Sequence, residues 1–501
     1  MDLDLSLTAA AAPAPGAPAS GAPASGAPAS TSTSADASTD AAATRKARRA
    51  AGRAARTDAP IDEQAALGPG DRDAVAILES QALTRVPELI AIRYGRMGAS
   101  PFAFLRGAAA VMARDLRERG TSGLTTQLCG DAHLANVGLY ASPERSLVLD
   151  LNDFDETATG PFEWDVKRMA ASFEVAARAR GFDDATRRRV VERMVHAYAT
   201  AIDEAARTPT MALFSSHIDA RAVLTSLAGR VPARAAKRGL KLIEKTVGRD
   251  SRSAAASLAE EVDGELRFRL DAPLVLPLRE LIERQGVDPD DVRQRISGIL
   301  SGYERSLPPH RRSILARYRP VDLALKVVGV GSVGTRAWIV LLRGNGRDDL
   351  LVLQAKEAQR SVLEPEDEPS AYEHQGRRVV EGAHLMQALS DVLLGWTSAE
   401  GLDGRHRDFY VRQFRDWKGS FAPERMEPDT MLLYAEYCGL VLARAHARGG
   451  DAAPIAGYVG GGRAFAAALA AFAAAYADRT EADHAALLAA VADGRIESQL
   501  A

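Results

Sequence analysis

Apolar and polar positions follow two different periods along this chain, and the change of period marks its parts. Residues 74–94, 101–113, 166–205, 431–447 and the Ala-rich 464–477 repeat apolar residues at helical spacing. Pro101 is placed to open the second of these helices. Residues 209–320 read as mostly helical and charged, with loops near Pro232 and over 264–277. The run Leu147–Leu151 is apolar throughout apart from Asp150, lies between polar clusters, and predicts a short buried strand. Three segments, 321–330, 338–342 and 350–356, are β-rich and separated by a glycine turn and a polar turn. They predict an antiparallel meander, followed by a helix over 370–394 and a strand over 409–414. Residues 1–60 show neither period. Their low-complexity Ala, Pro, Ser, Thr and Gly, with the near-repeat APGAPASGAPASGAPAS, predict a disordered tail.

The polar clusters around Leu147–Leu151 carry the most specific chemistry. Asp131-Ala-His133-Leu-Ala-Asn136 precedes the strand and Asp153-Phe-Asp155 follows it, so the strand can bring a carboxylate back beside the first loop. Asp131 could orient or deprotonate a hydroxyl, while Asn136 and Asp153, with Asp155 beside them, could supply oxygen ligands to Mg²⁺. That ion is normally held by few protein oxygens together with substrate phosphates. His133 is expected to organise the loop or to touch the substrate. The plainer alternative is that these residues cap turns and a helix, which Asn, Asp and Gly commonly do.

The meander adds a second set. Gly329, Gly331 and Gly334, with Ser332 among them, would let backbone N–H groups approach phosphate oxygens, and Lys356 ends the third strand where an ammonium could reach them. No GKS or GKT follows the glycines and no helix does either, which excludes a Walker motif and a dinucleotide fingerprint. Glu373 and Glu381 are candidate partners for Lys356, with Glu373 preferred. Arg106 interrupts an apolar face and is expected either to pair with a carboxylate or to meet an anionic group. His446, in a helix that stops at Gly449-Gly450, reads as structural.

Composition narrows the classes. A chain of 501 residues exceeds one ordinary core, so two or three domains are expected. The net charge of −3 gives no reason to expect a polyanionic partner. The cluster Arg45, Lys46, Arg48, Arg49, Arg53 and Arg56 is the one stretch that could touch nucleic acid or anionic lipid, and a solubilising tail is the plainer reading. Two cysteines, Cys129 and Cys438, exclude a disulfide framework. The chain has no 18-residue uncharged apolar run and no basic-then-apolar start, so neither a membrane span nor a secretory signal is expected, and the cytoplasm is the expected location.

Together, Cys129-Gly-Asp-Ala-His-Leu-Ala-Asn136, Leu151-Asn-Asp-Phe-Asp155, Trp164-Asp165 and Val328-Gly-Val-Gly-Ser-Val-Gly-Thr335 resemble the bacterial domain-of-unknown-function family 2252. Phe409-Tyr-Val-Arg-Gln-Phe-Arg-Asp-Trp-Lys-Gly-Ser420 and Ala443-Arg-Ala-His446 extend the likeness over roughly residues 70–490. The loop also resembles that of aminoglycoside phosphotransferases and choline-kinase-like enzymes, with their His-Gly-Asp-x-His-x-x-Asn pattern. By that resemblance Asp131 matches the catalytic aspartate, Asn136 and Asp153 the metal ligands, and Asp165 the aspartate that braces the loop. Cys129 replaces the usual first histidine and would act in loop support. The order departs from those kinases, because the glycine turn and Lys356 follow the catalytic loop by about 200 residues.

The resemblance therefore implies an α+β, protein-kinase-like two-lobed fold, circularly permuted and with additional helices. Its parts would be a tail over 1–60, a helical catalytic-loop lobe over 71–320, a β-rich nucleotide lobe over 321–420 and C-terminal helices over 430–490. It implies ATP and Mg²⁺ as cofactors and phosphoryl transfer to a hydroxyl, most simply on a small molecule, with Lys356 and His133 among the catalytic groups. A nucleotide-binding protein without turnover, an adenylyl transferase that would release pyrophosphate, and a helical interaction module around 209–320 remain alternatives. The acceptor and the oligomeric state are not legible in these residues.

Overall fold

A computed structural model describes residues 34–226, 233–285, 288–365, 367–401 and 404–500. Of the tail expected over 1–60, residues 1–33 lie outside the described residues. Chain contacts divide the protein after Thr44. Of the first unit, only the start of the helix Ser34–Ala54 is described. Everything below concerns the second, Arg45–Ala501.

Helix and sheet are mixed within this unit. Its largest core is helical. Phe162–Ala179, Asp184–Ala205, Pro428–Gly449 and Arg463–Ala492 bury Met169, Phe173, Met194, Tyr198, Leu442 and Leu469 among one another. The helix starts are written locally. The Asp183 carboxylate accepts the Thr186 amide, and Pro428 sits in the first turn of its helix. The second and third of these helices approach so closely that a methyl at Gly439 would lie 2.2 Å from the Met194 carbonyl oxygen.

Six strands form the main sheet, in the order Gly395–Glu400, His406–Gln413, Leu350–Ala358, Ala337–Arg343, Arg319–Lys326 and Val275–Pro277, each antiparallel to its neighbours. The expected meander occupies its middle. Its alternating residues bury both faces: Ile339, Leu341 and Val352 pack on Ala254, Ala255 and Phe268, while Val340, Leu353 and Phe409 pack on Tyr303, Leu307 and Leu315. A sheet apolar on both faces needs two covers, and residues 251–315 provide both. The β-rich part therefore draws in chain that the sequence pattern assigned to the helical lobe, including an edge strand that starts at Val275. The helix expected over 370–394 is confined to Gln375–Met386, where the His374 ring accepts the Arg377 amide as its cap.

Two small sheets carry the polar loop. Gly419–Ser420, Val137–Ala141 and Leu147–Leu151 form one, and Thr125–Leu128 with Ala158–Pro161 forms the other. The arm differs from its expectation as well. Residues 45–54 are helical, Ala59 joins the main core, Arg49 pairs with Asp203, and Arg56 donates to the carbonyls of Gly457 and Tyr458. A basic, Ala-rich segment reads as a tail in isolation, but small residues let it lie close against the helix Ala452–Val459, as at Gly52 beside Pro454. Among the described residues no single helix is long and apolar enough to cross a membrane.

The close crossing at Gly439 gives a stability test. Gly439→Ala should lower unfolding free energy by about 1–3 kcal/mol, the usual cost of overpacking a well-filled interior. Urea unfolding followed by circular dichroism should show an earlier midpoint at unchanged slope. An unchanged midpoint would mean that the two helices can part freely.

Candidate functional site

The loop after Leu128 turns at Gly130, and two features there require glycine. Its φ is +89°, and a methyl on its Cα would lie 1.9 Å from the Glu156 carbonyl oxygen. Asp165, in the first turn of Phe162–Ala179, accepts the amides of Cys129 at 2.7 Å and Gly130 at 3.0 Å. His446 Nε2 lies 3.2 Å from the same carboxylate, and its Nδ1 lies 2.9 Å from the Tyr198 hydroxyl. Asp165 thus ties two amides of the loop to the helix Phe162–Ala179, and buried His446 stands between it and Tyr198. Asn136 closes the loop: its Nδ2 donates to the carbonyls of Asp153 at 2.9 Å and Asp131 at 3.2 Å and to Cys129 Sγ at 3.3 Å. Burial pushes the Cys129 thiol well above its ordinary pKa, which makes it a packing group and not a nucleophile.

One turn beyond Asp165, Arg168 donates through Nε and Nη2 to Asp131 Oδ1, at 2.9 and 2.8 Å. Spacing of three places both side chains on one face of the helix, so a single element holds the loop backbone and its aspartate. Asp131 Oδ2 is left toward His133 Nε2, 3.7 Å away. His133 is buried, and its Nδ1 has no partner among the described residues. Burial pushes its pKa down to about 4; the Asp131 charge works against this, and the Arg106 and Arg168 charges work with it.

Lys356 enters from the main sheet. It is 3% exposed, and its Nζ lies 2.5 Å from Asp155 Oδ2 and 3.6 Å from Asp153 Oδ1. Burial alone would lower its pKa, but the two carboxylates more than offset this and raise it. Both oxygens of Asp155 have partners, since Oδ2 also accepts from the Ser332 hydroxyl at 3.2 Å and Oδ1 accepts from the Tyr410 hydroxyl at 2.7 Å. The metal role expected of Asp155 gives way to anchoring Lys356. The expected Lys356–Glu373 pair is not made: Glu373 is exposed and precedes the helix Gln375–Met386. Glu381 pairs with Arg377. The helix contributes buried Arg378 instead, donating to the carbonyls of Asp155, Thr157 and Gln359. An aspartate already beside the lysine makes a helix glutamate unnecessary.

These pieces line one cleft of about 560 Å³. Asp131, His133, Asn136, Asp153 and Asp155 face it from one side, and Gly329, Gly331, Ser332 and Lys356 from the other. Gly334 does not line it; this glycine packs on the Arg85 side chain, and its carbonyl accepts the Val86 amide. Gly331 rests on the end of the helix Pro101–Gly107, near the Arg106 carbonyl. The amides of Gly331 and Ser332 have no hydrogen-bond partner among the described residues. Arg106 lines the cleft without an ion pair, and its Nε is buried and unpartnered, so the pairing favoured for it is not made.

The donor set fits a magnesium ion of the kind that keeps few protein ligands. Asp153 Oδ1 is buried without a hydrogen-bond partner, and the Asn136 amide uses its nitrogen internally, which leaves its oxygen. Burial raises the Asp153 pKa, but Lys356, Arg412 and Lys418 outweigh that and hold it well below the carboxylate range, so the side chain is a ready anionic ligand. Among the described residues no group of three or more His, Cys, Asp or Glu side chains could hold a metal alone. Any ion here would need a ligand's oxygens. Sequence reasoning missed Arg168, Tyr410, Arg412 and Arg378. The signal for the middle two was present in the alternation Phe409, Tyr410, Val411, Arg412 on a strand.

A family model described as "Uncharacterized protein conserved in bacteria (DUF2252)" matches residues 85–490. The chain belongs to the DUF2252 family. The match covers the loop, the glycine turn, Lys356 and the helix ending at Gly449, and leaves the N-terminal arm outside. No curated protein and no solved structure matches this DUF2252 chain.

The depressed His133 pKa predicts a pH effect. The unfolded ring binds a proton near pH 6.5 and the folded one near 4, so the unfolded state holds more protons between these values. Stability should therefore fall as pH drops from about 6.5 to 4, by up to about 3 kcal/mol from this group, and level off below. Urea unfolding of wild type and His133→Gln at pH 7.5 and 4.5 checks this. The variant should lose less stability on acidification, and equal losses would remove His133 as the cause.

Proposed function

We propose that this protein transfers a phosphoryl group from Mg-ATP to a hydroxyl of a small molecule. The observation that carries the reading is the meeting, in one cleft, of Asp131, Asn136 and Asp153 with the glycine turn and Lys356, whose partner Asp155 lies 201 positions earlier. Lys356, held by Asp155, and the free amides of Gly331 and Ser332 suit phosphate oxygens. Asp153 and Asn136 would hold Mg²⁺, which would supply charge neutralisation on the phosphates. Asp131, oriented through Oδ1 by Arg168, would meet the acceptor hydroxyl through Oδ2. His133 would keep that carboxylate in place.

The scaffold in this reading is kinase-like and circularly permuted. Support comes from the two chain positions that a permutation would separate. The helix Pro428–Gly449 ends beside the start of the strand Thr125–Leu128: Thr126 bridges Gly450, and its hydroxyl donates to the His446 carbonyl at 2.9 Å. A link from residue 450 to 125 would restore the order helix, loop, metal aspartate that the kinases use, without moving either element. ATP as donor is in keeping with a cytoplasmic site of action. Arg48, Arg49 and Arg56 are committed to contacts within the fold, which weakens any nucleic-acid role for the arm.

The test follows ADP release with Mg-ATP over a panel of hydroxylated metabolites, together with calorimetric titration of ATP. Asp131→Asn should cut turnover by about 10²-fold or more with ATP affinity little changed, the scale of general acid–base assistance. Asp153→Asn should weaken Mg²⁺-dependent nucleotide binding and suppress turnover together. Lys356→Ala should weaken nucleotide binding or its productive alignment. Wild-type turnover in Asp131→Asn, with chemistry rate-limiting, would remove it as the base; full Mg²⁺ dependence and activity in Asp153→Asn would sink the site.

A further inference from the structure

One wall of the cleft gathers positive charge that phosphoryl transfer as described does not use. Arg412 comes from the strand His406–Gln413, Arg415 and Lys418 from the segment after it, and Arg249 from the loop that follows the helix Ala233–Val247. All four line the cleft, and none has a carboxylate within 4 Å among the described residues. Their contacts are with neutral groups. Arg412 donates to the Asn152 carbonyl at 3.0 Å, Arg415 to the Ser257 hydroxyl at 3.4 Å, and Arg249 to the Lys418 carbonyl at 3.3 Å. Some arginines of this fold meet acids, as Arg72 does Asp115 and Asp483 and Arg168 does Asp131, while others such as Arg378 donate to carbonyls. Asp153 and Asp155 act on Arg412 and Lys418 at longer range, but no carboxylate among the described residues pairs with any of the four, so their donors remain open to an anion in the cleft.

The backbone gives an independent sign. Trp417 has a φ of +54°, a conformation that a bulky side chain rarely adopts. It is held there from two sides, by its amide donating to the Arg249 carbonyl at 2.8 Å and by the Arg145 guanidinium 4.4 Å from its ring. The neighbours that hold this turn also bring Arg249 and Lys418 together. Strain that the surroundings over-determine is concentrated at ligand clamps and active sites. In accord with the crowding, the Arg412 charge is the largest influence that keeps Lys418 below the usual lysine range.

We propose that Arg249, Arg412, Arg415 and Lys418 form a phosphate-binding subsite in the cleft, separate from the glycine turn. Arginine forks and a lysine ammonium are the donors that phosphate oxygens take. Two sources share that chemistry: a phosphate carried by the acceptor, which would then be a phosphorylated alcohol, or the nucleotide's own phosphates extending along this wall. The choice between them rests on the proposed nucleotide site; the subsite itself does not.

Inorganic pyrophosphate is the probe, titrated calorimetrically into the full chain without metal. Wild type should bind it, and Lys418→Ala and Arg415→Ala should each weaken binding by about 10-fold or more, as loss of a charge-assisted hydrogen bond does. Lys418→Arg should stay within about 3-fold of wild type because the charge and donors remain. Arg415 also stacks on Phe414, so unfolding midpoints accompany both variants, and Lys418 lies exposed at the rim, where substitution spares the fold. The titration is repeated with Mg²⁺ and a non-hydrolysable ATP analogue at saturation. Pyrophosphate that still binds assigns the subsite to the acceptor, and pyrophosphate that is displaced assigns it to the nucleotide. An analogue that fails to bind while pyrophosphate binds as expected would remove the kinase reading and leave the subsite standing. Absence of pyrophosphate binding to wild type, or unchanged binding in both alanine variants, would overturn the subsite.

Discussion

A lysine ammonium that is almost wholly buried, wedged between two aspartates from distant chain, is the constraint on which this site depends. Lys356 cannot leave water without partners, because an unpaired buried charge costs several kcal/mol. Its partners Asp153 and Asp155 are on a loop 201 and more positions earlier, so satisfying the lysine fixes the main sheet against the segment that follows Leu147–Leu151. The aspartates are then no longer free to choose their own neighbours. Tyr410 and Ser332 complete Asp155, and Arg378 holds the carbonyls around it. What is left over is Asp153 Oδ1, the one oxygen of the pair that is buried without a hydrogen bond. The cleft therefore has, two residues apart, one carboxylate with partners on both oxygens and one with a buried oxygen that has no hydrogen bond.

The same logic divides the cleft electrically. Around Asp131 and Asp155 each acid meets a cation or hydroxyl, and the geometry is closed. Along the 412–418 wall and at Arg106 cations line the cleft without an ion pair, and the acids Asp131 and Asp153 act on them only at longer range. A net charge of −3 over the whole chain conceals this, because global charge says nothing of how a single cleft is lined. A lining of this kind raises the local concentration of anions beside the wall. Screening by salt weakens the effect at the open rim more than at the partly enclosed Arg106.

Legibility in the sequence followed the range of the interactions involved. The Leu147–Leu151 strand, the three-strand meander and the helices of the largest core are set by period and were readable. The nearness of the loop residues was readable too, since Asp131, Asn136, Asp153 and Asp165 are packed into 35 positions and Asp165 reaches back only to Cys129 and Gly130. What failed depended on partners far away. Glu373 was a reasonable partner for Lys356 on spacing, yet nothing in a local pattern shows that Asp155 already fills that place. Nor does charge-rich periodicity reveal that 251–315 covers both faces of the sheet, because its apolar stripes match their partners only in three dimensions. The basic arm was misread from its end for the same reason: its small residues matter through the helix they touch, as at Gly52 and Gly457.

Two kinds of rigidity meet within the site. The loop holding Asp131 is fixed by hydrogen bonds from one helix, since Asp165 takes two amides and Arg168 takes the carboxylate, with His446 and Tyr198 behind them. Each of these bracing groups is satisfied, so entry of a ligand gives them no reason to move. The 412–418 wall is held differently, by a left-handed Trp417 whose amide donates to the Arg249 carbonyl and by the Arg249 side chain donating to the Lys418 carbonyl. Arg145, which stacks on Trp417, is also tied to Asp416 at 2.7 Å, so any adjustment of the wall must pass through that pair. The cleft thus joins a face closed by hydrogen bonds to one whose cations have no ion pair among the described residues, and a change of charge in the cleft would act first on the second.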